Sequence, residues 1–156
     1  MTSWDERSRL RRAYLNPALT GALVVGAASA YESRRGPMPF ALAFLVAPLV
    51  LHKPTRESLP SSTRTHLSTW ISRDQLFRVT FPLRAESLVP VVNEGIRYAI
   101  RTGDLTLQRG ELVGRALSDP EGEPARSMMQ AARLVGRWLA KNDQPSTTFA
   151  LLGVRP

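Results

Sequence analysis

Cysteine is missing from the 156 residues, and histidine occurs twice, as His52 and His66. Without thiols the chain can form neither disulfides nor thiolate-ligated metal sites, a composition that fits a reducing cytoplasm. Its two imidazoles stand 14 residues apart with no paired carboxylates between them and no HExxH. No serine is framed by glycines, so the usual patterns for a metal centre and a hydrolase triad are both lacking. A phosphate loop of the form GxxxxGK[ST] is lacking too. The glycines of GALVVGAAS have the spacing of helix packing and bring no lysine to a phosphate. No catalytic, cofactor-binding or metal-ligating residue is assigned, and an enzyme reading would need His52 or His66 as acid or base beside a hydroxyl or carboxylate brought close by folding.

Acidic residues are in the minority, 13 against 21 Lys+Arg, for a formal net charge of +8 carried mostly by arginine. That balance suits a polyanionic partner, DNA or RNA, or an acidic protein surface; an arginine-rich solubilising surface gives the same count. Hydrophobic residues at 43% and charged residues at 22% are globular proportions. A chain of this length buries roughly two-thirds of its unfolded surface. The expectation is one domain over residues 1–156, with a polar, basic stretch at 1–13 that is either frayed or a short helix.

The segment SRLRRAYLNPALTGALVVGAASA has the outline of an export signal: a basic start with Arg11-Arg12, an apolar middle, and Ala-Ser-Ala at its end. Asp5 and Glu6 precede the arginines, Asn16-Pro17 interrupts the apolar part, and a second apolar segment follows at once, so two packed core helices are the better reading. That second run, residues 38–51, holds 14 residues with Pro39 and Pro48 among them, against about 20 for a bilayer span. No membrane association is expected.

Periodicity places a first helix over residues 17–33, with Pro17 in its first turn and Gly21, Gly26, Ala27, Ala28 and Ala30 permitting a close neighbour. A second helix over 40–51 is kinked or restarted near Pro48. A polar loop over 52–62 leads to a short helix capped by Thr63 or Thr65, carrying Leu67, Trp70 and Ile71 inward through about Ser72. Residues 83–101 carry Leu88, Val91, Val92, Gly95, Ile96, Ala99 and Ile100 at helical spacing, with Pro90 as a reset of the helix start and Thr102-Gly103 as its end. DLTLQRGELV reads as a hairpin turning at Arg109-Gly110. A last helix over 125–141 buries Met128, Met129, Ala132, Val135, Trp138 and Leu139, and the closing STTFALLGV reads as a strand paired with the hairpin. The fold class is therefore mainly α (α+β), a compact helical domain with a small C-terminal β-sheet. The order short helix, longer helix, hairpin over residues 63–115 resembles the later half of a winged-helix module, with 104–113 as the wing, a module that serves either DNA or protein docking.

Lys53, Arg56 and Arg64 form a basic cluster that could touch phosphates, but it lacks the interleaved aromatics of a single-strand platform and suits an acidic protein equally. Ser58, Ser61 and Ser62 are turn and capping residues, and Trp70, Phe77, Phe81 and Trp138 are core.

The stretches YLNPALTGALVVGAASAYES, GPMPFALAFLVAPLVLHKPTRESLP and FALLGVRP, in that order, resemble the middle component of three-component ABC systems, a bacterial family that includes Lamassu-type anti-phage defence. The resemblance is strongest over residues 14–31 and 49–60. It implies a non-enzymatic adaptor between an SMC- or Rad50-like ATPase and a separate effector, in a system directed against phage or plasmid, with DNA reached through the assembly if at all; no cofactor is implied. On this reading residues 52–60 leave a buried helix at Leu51 as a loop stiffened by Pro54 and Pro60, and His52, Lys53, Thr55, Arg56 and Arg64 form the candidate partner interface. The other reading of the loop is that its hydroxyls and Arg56 tie the chain down between helices, with Glu57. The other reading of the whole is a stand-alone winged-helix DNA-binding regulator.

Overall fold

The computed structural model describes residues 15–156. The expectations for residues 1–13, including the Arg11-Arg12 pair, lie outside the described residues. Helix α1 (Pro17–Glu32) starts where the Asn16 side-chain oxygen accepts from the Ala18 N–H at 2.8 Å and Pro17 occupies the first turn. Its residues are apolar around the whole circumference, the signature of a helix enclosed by protein. Leu23, Val24, Val25, Ala27 and Ala28 are completely buried. Small residues let neighbouring backbones touch it. A Cβ added at Gly21 would lie 2.6 Å from the Gly95 carbonyl oxygen, and one at Gly136 only 2.1 Å from that of Ala27.

After α1 come β1 (Met38–Pro39), a 3-10 turn (Phe40–Leu42) and α2 (Ala43–Val50), which runs through Pro48 without a restart. The expected polar loop then proves to be largely helical. Residues Lys53–Ser58 form α3, because His52 occupies the cap position and Pro54, with its fixed φ, falls in the first turn, where its missing N–H costs no helical bond. Helix α4 (Leu67–Ile71) is capped at His66, with no side-chain bond there, and not at Thr63 or Thr65; Leu67, Trp70 and Ile71 point inward as expected. Helix α5 (Gln75–Thr102) is longer than its apolar spacing predicts. Asp74 Oδ1 accepts from the Leu76 and Phe77 N–H groups, and the helix passes through Pro82 and Pro90 before ending at Gly103 with φ 82°. Pro90 does not reset it.

Strands β2 (Leu105–Gln108) and β3 (Glu111–Gly114) form the predicted hairpin. Arg109 at φ 52° and Gly110 at φ 78° give the doubly left-handed turn that matches strand twist. Helix α6 (Ala125–Leu139) buries all six residues assigned to its inner face. The chain closes in α7 (Pro145–Leu152), which corrects the expected terminal strand. Pro145 opens this helix, Gly153 at φ 69° closes it, and Thr148, Phe149 and Leu152 face the core together at helical spacing, so packing outweighs the β preference of Thr-Thr-Phe. The hairpin's partner comes from the other side of the sequence. The antiparallel sheet has the order β1–β3–β2, with Met38 opposite Leu112, so it is not a C-terminal sheet. The fold is mainly α with a small β-sheet, and one continuous apolar cluster draws on every helix except α3. Trp70 meets Phe77 and Trp138 edge-on at 4.7 and 5.3 Å.

Candidate functional site

A groove of about 450 Å³ separates α3 from the N-terminal half of α5, and it brings together two of the five predicted interface residues with one that was not predicted. His52 Nδ1 lies 2.8 Å from Thr55 Oγ1, and the same hydroxyl accepts from an Arg84 terminal nitrogen at 3.0 Å. The Thr55 backbone N–H also donates to Nδ1, at 3.4 Å, so Nδ1 is the acceptor of this cap and the neutral ring that fits it carries its proton on Nε2. Burial, and then the Arg84 charge, hold the His52 pKa below its ordinary value. Arg84 itself is pulled down by burial; its guanidinium lies 5.6 Å from the Phe81 ring centre, and its Nε finds no acceptor.

The remaining three candidates diverge. Arg56 faces inward, with Nη1 donating to the Val50 carbonyl at 2.6 Å and Nε to Ser127 Oγ at 3.2 Å, which ties α3 to the end of α2 and to α6. Lys53 is exposed and pairs with Glu57 at 3.7 Å, so Glu57 is not the partner of Arg56. Arg64 is exposed on the connection between α3 and α4 and does not line the groove. That connection is stapled from below. The indole N–H groups of Trp70 and Trp138 donate to the carbonyls of Ser58 and Thr65, each at 2.8 Å, and the Lys141 ammonium donates to that of Thr63.

The feature missed in the sequence is the outward face of α5. Leu76, Val79 and Leu83 are 70%, 69% and 68% exposed, on the side opposite the buried Phe77, Phe81 and Ala85. Apolar residues at 76, 77, 79, 81 and 83 nearly alternate, so their helical faces separate only once Asp74 is recognised as the cap. On the other flank of this ridge lies an apolar cavity of about 680 Å³, lined in part by Phe40, Phe44, Val89, Phe149 and Val154.

Thr55 is buried with its hydroxyl held between two partners, and among the described residues no three His, Asp or Glu side chains gather to hold a metal ion. No described helix is long and apolar enough to cross a membrane. Neither a curated protein nor a solved structure matches the chain. A family model does, over residues 4–156, the whole of the helical core and its groove included, and on that match the chain belongs to the family of ABC-three component (ABC-3C) system Middle Component 3.

Proposed function

We propose that this protein is the non-enzymatic adaptor of its system, one domain over residues 1–156 that in the cytoplasm joins an SMC- or Rad50-like ATPase to a separate effector in defence against phage or plasmid. The observation that carries the reading is the apolar outer face of α5. Helix α5 already buries one apolar face in its own core, and a second, exposed one on the opposite side marks a protein contact. His52, Thr55 and Arg84 brace the neighbouring wall, and Lys53 on α3 and Arg64 on the connection to α4 are exposed cations.

The order short helix α4, long helix α5 and hairpin β2–β3 within residues 63–115, with β1 completing a sheet of order β1–β3–β2, supports the winged-helix-like reading with β2–β3 as the wing. It favours the protein-docking use of that module. Leu76, Val79 and Leu83 carry no donor or acceptor for a base edge, and direct readout of DNA requires them. A stand-alone regulator is therefore the weaker reading, and the adaptor should show only weak, salt-sensitive affinity for duplexes, without preference among sequences.

Co-expression with the other two components of the system tests the proposal. The wild-type chain should co-purify with them, and Lys53→Glu with Arg64→Glu should weaken the complex while leaving the melting temperature unchanged, because exposed charges contribute within about 0.5 kcal/mol to folding. Arg56→Glu should instead lower the melting temperature, since bonds from a charged donor contribute about 1.5–3 kcal/mol. Failure of the wild-type chain to assemble would sink the adaptor reading. So would nuclease or ATPase turnover by the pure protein that His52→Ala abolishes, or strong discrimination among duplexes at physiological salt.

A further inference from the structure

The N-terminal half of α5 stands out from the body as a ridge with a groove on each side. Its crest is Leu76, Val79 and Leu83, at the i, i+3, i+7 spacing by which one helix meets another. The first groove is walled by α3 and the second by Phe40, Phe44 and Val154. Its charges are unbalanced. Arg73 and Arg78 are exposed and Arg84 is half-buried, and among the described residues none of the three has a carboxylate partner. Of the acids on the same stretch, Asp74 is engaged as the helix cap, which leaves Glu86.

Resting on the adaptor reading and sharpening it, we propose that this ridge is the seat of an amphipathic helix from one of the other two components, whose apolar side lies on Leu76, Val79 and Leu83 and whose flanking carboxylates face Arg73, Arg78 and Arg84. Planar guanidinium groups at the edge of an apolar strip pair with carboxylates through two parallel bonds, and desolvation by the apolar contact strengthens them. Two other occupants fit less well. In a symmetric pair of this chain the same three arginines would meet on both sides of the interface, setting like charges together. A nucleic acid would match the arginines and leave the crest against water.

The test compares Val79→Asp with Leu83→Asp, Arg73→Glu with Arg78→Glu, and wild type, each titrated against the other two components, with thermal unfolding and light scattering of the free chain. The crest variant should bind about thirtyfold more weakly or worse. The arginine variant should bind several-fold more weakly, with a shallower salt dependence than wild type. Both should melt as wild type does, because every substituted side chain is exposed; should the double aspartate melt lower, Leu83→Ser repeats the comparison with a milder change. A crest variant that binds as tightly as wild type overturns the ridge while the adaptor reading stands, because wild type still assembles. An arginine variant of unchanged affinity overturns the acidic partner. A free wild-type dimer that the crest variant splits without loss of the complex assigns the ridge to a second copy and overturns the proposal. If wild type assembles with neither component, the adaptor reading fails and this inference fails with it.

Discussion

Arg84 brings a positive charge to a half-buried position where its partners are a hydroxyl and the face of Phe81. The cost falls on its neighbour. Burial and Arg84 together disfavour protonated His52, so the folded-state pKa lies below the ordinary value of 6.5. For a group depressed in this way the stability is fully present above the unfolded value; as pH falls from about 6.5 through the folded value, the unfolded chain takes up the proton first and stability is lost. The melting temperature of wild type should therefore fall more steeply below about pH 6.5 than that of His52→Asn, which keeps an acceptor for the Thr55 N–H and removes the titration. Parallel pH profiles for the two proteins would refute this account of the groove. The pairing of His52 with Thr55 is local and was within reach of the sequence. Arg84, 29 positions from Thr55, was not, since no spacing rule links them.

Helix α5 is the element whose length the sequence disguised. Pro82 and Pro90 argue for breaks, yet its buried residues Phe77, Phe81, Ala85, Val91, Val92, Gly95, Ile96 and Ala99 bind it to the core along most of its length, and that packing outweighs the missing N–H groups. The first turn depends on Asp74, whose carboxylate satisfies two backbone donors. Asp74→Ala should lower stability by about 1 kcal/mol, read by chemical denaturation, and should increase amide exchange in the first turn while leaving that of residues 91–99 unchanged. Helix α6 shows the opposite case. With the six residues assigned to its inner face all among those it buries, and no interior proline, it was legible from pattern alone. Helix α7 is short and carries the β-branched Thr147 and Thr148 in its first half, and there the local preference pointed to the wrong element.

For the molecule as a whole, α1 is the axis. Gly21 meets the backbone at Gly95, Gly26 the side chain of Met129, Gly136 the backbone at Ala27, and Gly114 that at Val25, so α5, α6 and β3 all pack against one helix. A chain limited to residues 36–156 should therefore lose its cooperative thermal transition, because removing α1 would expose the inner faces of both long helices at once. A sharp melt by that truncated chain would show that α1 is peripheral.

Composition and periodicity alone carried the helical class, the two buried apolar segments, the hairpin with its Arg109-Gly110 turn and the aromatic core, since each depends on contacts within a few residues or on the bare need to bury apolar surface. The family, too, was legible, in the stretches around residues 14–31 and 49–60. Long-range contact settled the rest. Met38 pairs with Leu112 across 74 positions, Arg56 turns inward to Ser127, and the crest of α5 is left bare because the opposite face of that helix is the one its own core covers. Which of two apolar faces is buried depends on what packs against the helix from elsewhere in the chain, and no local pattern contains that information.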